Sequence, residues 1–286
     1  MSGGPALLDP QRVLSRARQE NFPVASRLLP RAVRDDLMAV YGFARMVDDA
    51  GDEAPGDRTP VLDRIESELD RAFAGAAADP VMRSLQGTIR SRDLPRDPFL
   101  RLIEANRQDQ VVSRYETFSD LRRYCELSAN PVGHLVLLIL GSATPARLAR
   151  SDSVCTALQL VEHWQDVAED ARRGRVYLPQ EDLRRFGCSS EDLLRPTPTP
   201  AFRRLLAFEV ARARRMLDDG LALVADLGGR AGFAVASFVA GGRAALEALE
   251  RSGYDVLSRS PRPTRATQAR ALARTLFETR FSRRAA

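Results

Sequence analysis

The spacing of apolar residues constrains this chain more than any other feature. They recur at three- and four-residue intervals through 31–50, 61–74, 80–90, 97–109, 118–142, 152–172, 201–226 and 231–251. The period-two alternation of a half-buried strand is scarce. A chain patterned this way buries its apolar stripes by packing helix on helix, so the sequence predicts an all-α fold. Proline and glycine punctuate the gaps at Pro55 and Gly56, Pro95 and Pro98, Pro145, and the run PTPTP at 196–200. Ser119 or Asp120 is a candidate cap for one helix, and Ser151 or Asp152 for the next. No repeat or domain-length linker interrupts the pattern. Residues 1–286 therefore read as one domain of about ten helices, with 1–10 and roughly 260–286 at its periphery.

Composition excludes some chemistries. The 43 basic residues are all arginine, so neither a Schiff-base lysine nor a phosphate-loop lysine is available. The net charge of +5 suits an anionic partner: nucleic acid, an anionic membrane surface or a phosphorylated substrate. No zinc-finger or RNA-binding signature supports the nucleic-acid choice. Cys125, Cys155 and Cys188 lack CxxC spacing, which argues against a disulfide scaffold and fits a reducing compartment. The segment MSGGPALLDPQR has no charged region followed by an apolar one, so no signal peptide is read there. The apolar stretches near 135–141 and 231–242 are too short to span a bilayer and read as core helices. The arginine-rich tail reads first as a solvated helix, the alternatives being a terminal helix packed on the body or a membrane-surface contact.

Two acidic clusters stand out. The first lies in Tyr41-Gly-Phe-Ala-Arg45-Met-Val-Asp48-Asp49-Ala-Gly-Asp52-Glu53, where the spacing of Asp48 and Asp52 puts both carboxylates on one helix face, about 6 Å apart along the axis. The second lies in Gln159-Leu-Val-Glu162-His163-Trp164-Gln165-Asp166-Val-Ala-Glu169-Asp170. Glu162, Asp166 and Asp170 are predicted to form one stripe of one helix, although like charges at this spacing repel. A single such pair is most simply a solvated acidic face. Here each cluster sits among apolar residues, with arginine and tyrosine close by. Two facing acidic stripes would make a cage for a hard cation such as Mg²⁺, which shares its oxygen ligands among carboxylates, waters and phosphates. A bridging diphosphate, further neutralised by arginine, could then leave as a C–O bond breaks. The carbocation left behind needs a dry pocket. His134 and His163 lack the partners of a zinc site and read as structural.

In this order the clusters resemble those of the squalene/phytoene synthase family. The likeness extends to Asn21-Phe22-Pro23-Val24-Ala25-Ser26 near the start, to Tyr124-Cys125-Glu126-Leu127-Ser128-Ala129-Asn130-Pro131, to Arg175 and Tyr177 in GRVYLP, and to Gly253-Tyr254-Asp255. Within the family it is strongest to bacterial hydroxysqualene synthases, through ENFPVAS, SANPVGH, EHWQDV and GRVYLPQEDLRRFG. The resemblance implies an isoprenoid-synthase-type bundle around a central cavity. It implies Asp48, Asp52, Asp166 and Asp170 as metal–diphosphate ligands, with Glu162 beside them and two or three Mg²⁺ ions. Arg45, Arg175 and Tyr254 would contact diphosphate, with Gln159 and Tyr177 nearby; Phe22, Tyr41 and Tyr124 would line the isoprenoid cavity. Tyr124 could steady a cation through its ring face. Asn130 would hold the attacking water, its rival role being a cap at a helix break.

The implied reaction takes presqualene diphosphate and water to hydroxysqualene, without NADPH, in the cytoplasm or on the inner face of the membrane. A presqualene diphosphate synthase would be its functional partner. Two positions depart from the family pattern: Glu162 stands where asparagine is usual, and Gln165 where condensing relatives carry arginine. The second leaves less positive charge for a second diphosphate. A head-to-head condensing synthase remains the enzymatic alternative, and a non-catalytic scaffold the alternative of another class.

Overall fold

A computed structural model describes residues 28–53 and 56–285. Each apolar stretch forms a helix near its expected place, beginning with α1 (Arg31–Glu53), α2 (Thr59–Phe73), α3 (Pro80–Arg92) and α4 (Asp97–Gln108). Capping fixes several starts. Asp79 precedes α3 and accepts hydrogen bonds from the backbone N–H groups of Val81 and Met82, while Pro80 begins the helix. The next start differs from expectation. The cap is Thr117, two residues before Ser119, and Asp120 instead closes a reciprocal capping box with it.

The apolar run 118–142 is two helices, α5 (Phe118–Ser128) and α6 (Asn130–Ile139). Pro131 lacks an N–H and crowds the preceding turn, so the helix restarts there. The next helix begins at Pro145, with Thr144 as its cap, rather than at Ser151 or Asp152. Ser151 is buried inside it, and Asp152 pairs with His134 Nε2 at 2.7 Å. This helix, α7 (Pro145–Gln165), stops before Asp166, and α8 (Val167–Arg172) follows. Asp166 itself has φ −108° and ψ 15°. Glu162, Asp166 and Asp170 therefore do not share one unbroken helix, a correction consistent with their mutual repulsion.

The chain continues through α9 (Gln180–Phe186), a 3₁₀ turn (Ser190–Leu194), α10 (Pro200–Asp219), α11 (Leu221–Leu227), α12 (Gly229–Arg251) and α13 (Arg265–Ala285). Among the described residues there is no strand, only an isolated parallel bridge between Arg114 and Val176. Two apolar clusters form the core. Phe43, Leu62, Met82 and Phe99 knit α1 to α4 together, and Trp164, Phe202, Leu206 and Leu246 join α7, α10 and α12. Helix α6 belongs to both, with Leu135 and Ile139 in the first cluster and Leu137 in the second. The metal-site expectations therefore fall where the two clusters meet, on α1 and α7–α8.

The arginine-rich tail is a terminal helix packed on the body. Ala271 of α13 is buried against Ala240 and Ala244 of α12, and Thr275 is fully buried. Small residues on both helices permit this approach. The arginines also pair: Arg270 binds Glu247, and Arg243 of α12 reaches Glu278 at 2.6 Å. Helix α12 is long and apolar enough to cross a membrane by composition, yet 78% of its most apolar window is buried by the rest of the fold, as a core helix requires.

Candidate active site

A cleft of about 310 Å³ opens where α1, α4, α5, α7 and α8 converge. Asp48 and Asp52 project into it from α1, one turn apart as their spacing dictates. Gln159, Glu162 and His163 enter from α7, Asp166 from the helix break, and Glu169 and Asp170 from α8. Arg175 reaches across from the loop after α8, and its Nη1 lies 2.7 Å from Asp52 Oδ1. That contact joins residues 123 positions apart and ties the two acidic clusters into one site.

The other cations are engaged too. Arg45 donates to Asp49 at 2.9 Å and lies 3.5 Å from Asp48. Arg173 is 2.8 Å from Glu169. Beneath Asp48, Asn106 of α4 approaches its carboxylate at 3.5 Å. The approach is close because residue 51 is glycine: a Cβ there would fall 1.9 Å from Asn106 Oδ1.

Asp166 is held from an unexpected direction. Ser260 and Arg262, in the segment between α12 and α13, each donate to Asp166 Oδ1 at 3.0 Å. Gln165 is buried and points away from the cleft, its amide donating to the carbonyl of Pro261.

A wall of rings closes one side. Tyr124 O–H donates to Asp109 Oδ2 at 2.6 Å, and Tyr177 O–H lies 3.4 Å from the other oxygen. His163 stacks on Tyr177 with centroids 3.7 Å apart, and its Nε2 is 3.2 Å from the Gln159 amide nitrogen. Tyr115 stacks against the far side of Tyr177.

The electrostatics follow from crowding carboxylates in a cleft. Burial raises Asp48 to about 6, with Arg45 opposing and Asp52 adding to the rise. Its side chain keeps 47% of its surface open, so water in the cleft moderates the effect. Burial, joined by repulsion from Asp166, raises Asp170 to about 7. Burial also raises Asp109 to about 6 against the hydrogen bond from Tyr124. His163 falls to about 3, through burial and then the Arg175 charge, and is uncharged at neutral pH. Arg175 is held above its ordinary range: burial opposes this, but the bond to Asp52 and nearby acidic groups outweigh it.

The donor set suits a hard divalent ion, since oxygen ligands dominate and a cation would offset the burial, and with it the lesser mutual repulsion, that raises Asp48 and Asp170. Among the described residues, no group of three or more His, Cys, Asp or Glu side chains is arranged to hold an ion by itself. An ion shared with substrate oxygens asks less of the protein.

The cleft brings together Asp48, Asp52, Asp166, Asp170, Glu162, Arg45, Gln159, Arg175, Tyr177 and Tyr124 from the sequence expectations. Others lie elsewhere. Asn130 is buried at the start of α6, where its Oδ1 accepts from Thr156 Oγ1 at 3.0 Å, and it is not among the residues lining the cleft. Tyr41 packs on the α1–α4 cluster. Tyr254, at φ 60° beyond α12, packs against the other cluster. Phe22 lies outside the described residues. His163 is buried, lines the cleft and stacks its ring on Tyr177. Sequence reasoning also passed over Asn106, Asp109, Ser128, Ser260 and Arg262. Asp109 carries one signal, a position three residues after Asn106 at the end of an amphipathic helix, but nothing in the chain marks its tyrosine partners.

Geometry and chemistry together describe an all-helical fold whose two acidic clusters converge, with arginines, on one polar cleft. A profile of the squalene/phytoene synthase family matches residues 15–268, and the chain belongs to that family. It is 36% identical over 214 residues to the hydroxysqualene synthase of Rhodopseudomonas palustris, covering 73% of this chain and 72% of that one. It is 34% identical over 261 residues to the phytoene synthase of Thermus thermophilus, covering 89% of each. The crystal structure of a squalene synthase from Alicyclobacillus acidocaldarius is 46% identical with a TM-score of 0.79, covering 86% of this chain and 93% of that one. Enzymes of this family act on isoprenoid diphosphates.

Proposed function

We propose that this chain converts presqualene diphosphate and water to hydroxysqualene and diphosphate. The observation that carries the reading is the charge balance of the cleft. Asp48, Asp52, Asp109, Glu162, Asp166, Glu169 and Asp170 line it with only Arg45, Arg173 and Arg175 as cations, while Gln165 is turned away. Such a site suits divalent ions and one diphosphate better than two. Asp48, Asp52, Glu162, Asp166 and Asp170 would hold Mg²⁺, which supplies Lewis-acid stabilisation of the leaving diphosphate. Arg45 and Arg175 would orient that group with charge-assisted hydrogen bonds. The C–O bond breaks with its electron pair on diphosphate, and the ring of Tyr124 favours the cation left behind. The 36% identity to the Rhodopseudomonas palustris hydroxysqualene synthase supports this reading, and the 46% identity to the Alicyclobacillus squalene synthase supports an enzyme of squalene rather than phytoene chemistry.

The test is incubation of the purified protein and Mg²⁺ with presqualene diphosphate or with farnesyl diphosphate, with and without NADPH, and mass analysis of the lipid. Alcohol from presqualene diphosphate without NADPH is the expected result. Turnover of farnesyl diphosphate alone would establish the second reading, a condensing synthase, which the 34% identity to a phytoene synthase supports. No turnover of either would favour the scaffold reading. A lipid-soluble substrate and product, together with the basic α13, would place the enzyme at the inner face of a membrane beside a presqualene diphosphate synthase.

A further inference from the structure

Ser128 ends α5 one turn after Tyr124, and both residues line the cleft. Its Oγ is buried and has no hydrogen-bond partner. A buried hydroxyl left unpaired is costly, and such groups are ordinarily satisfied by an ordered water. On α7, lining the same cleft, is a second polar feature, the Gln159 amide nitrogen at 3.2 Å from His163 Nε2. That contact turns the amide so that its oxygen remains an acceptor. The stack of His163 on Tyr177 fixes the imidazole in turn. A hydroxyl donor from α5 and an amide acceptor from α7 thus line the same cleft as the Tyr124 ring.

We propose that Ser128 Oγ and the Gln159 side chain hold the water that captures the carbocation, with His163 positioning Gln159. The water accepts from Ser128 and donates to Gln159, leaving a lone pair for the electron-poor carbon. That lone pair becomes the new C–O bond. One water O–H bond breaks, and its proton leaves on the released diphosphate. The site's own reaction supplies every atom and charge. This inference rests on the hydroxysqualene reading above and replaces Asn130, whose Oδ1 is committed to Thr156.

The experiment measures two quantities from presqualene diphosphate and Mg²⁺: diphosphate released, and the share of lipid product that is alcohol. Ser128→Ala is expected to lower the ratio of alcohol to non-hydroxylated hydrocarbon by about tenfold, the factor corresponding to one lost hydrogen bond of about 1.4 kcal/mol, whatever its effect on the rate of diphosphate release. Ser128→Thr, which keeps the hydroxyl, is expected to restore the alcohol. His163→Phe keeps the ring stack and loses the contact with Gln159, so it should shift the product in the same direction. A merely structural role would slow both quantities together. An unchanged alcohol share in both Ser128→Ala and His163→Phe would overturn this inference alone. No alcohol from the unaltered chain would overturn the hydroxysqualene reading itself, whatever the variants do.

Discussion

Glu209 of α10 is fully buried, and its environment sets a pH dependence that can be worked out in advance. Arg212 Nη1 lies 3.0 Å from both Glu209 oxygens and 2.8 Å from Asp182 of α9. One cation thus faces two buried carboxylates, its guanidinium lying over the rings of Phe118 and Phe208. Burial raises Glu209 from its ordinary 4.5 to about 8, Arg212 opposing and Asp182 adding to the rise. The folded chain therefore binds more protons than the unfolded chain between those two values. Stability from the protonated carboxyl is fully present below pH 4.5 and is lost as pH rises through about 8. One proton sets a ceiling of about 1.4 kcal/mol per pH unit. Sharing with Asp182 spreads the titration, so a loss of about 2 kcal/mol between pH 5.5 and 8.5 is expected.

The perturbation is Glu209→Gln, a neutral group of the same shape. The assay is urea unfolding of both proteins at several pH values. The stability of the unaltered chain relative to Glu209→Gln should fall by about 2 kcal/mol across that range. Parallel curves within about 0.5 kcal/mol would refute the idea of two buried carboxylates competing for one arginine. The outcome bears on the site, because α9 follows directly on the loop that carries Arg175 and Tyr177.

Arg175→Gln removes the bond to Asp52 and is expected to lower kcat/KM by about 30- to 100-fold, equivalent to about 2–3 kcal/mol, while the unfolding midpoint changes little because the Asp52 side chain is 45% exposed. Gly51→Ala drives a methyl into Asn106 and should cost about 1–3 kcal/mol in urea unfolding, together with slower turnover as Asn106 leaves Asp48. Asn130→Ala leaves the buried Thr156 hydroxyl unpaired and should cost about 1–3 kcal/mol of stability with no change in the alcohol share. A chelator should stop turnover and Mg²⁺ restore it, and inorganic diphosphate should raise Tm only when Mg²⁺ is present.

Much of this architecture is legible in the chain because helical periodicity is a local property. The stretches at 31–50, 80–90, 97–109 and 231–251 correspond closely to α1, α3, α4 and α12. The aspartate pair on α1 is legible for the same reason, since a spacing of four fixes a shared face. Breaks are harder to read. Pro131 signals the one between α5 and α6, but nothing local marks the stop before Asp166, whose carboxylate is held by Ser260 and Arg262, about a hundred residues away. Asp109 likewise gains its place from Tyr124 and Tyr177, contacts that only tertiary packing makes. The tail is legible in part: Arg270 and Arg274 stay 65% and 75% exposed, as their charge suggests, while the burial of Ala271 against α12 rests on small residues that carry little signal in the sequence. Asn130 misled: an Asn-Pro junction marks a turn, and here the amide is spent on holding α6 to α7.

The clasp on Asp166 makes the far end of the chain a working part of the reaction chamber. Ser260, Pro261 and Arg262 grip the paired residues Gln165 and Asp166, so their alignment depends on α13 being seated. Trimming the protein after Leu257 would discard that grip while sparing every residue of the aspartate motifs. Shortened versions made for crystallisation or expression would then retain the recognisable signatures yet carry a misaligned second acidic arm.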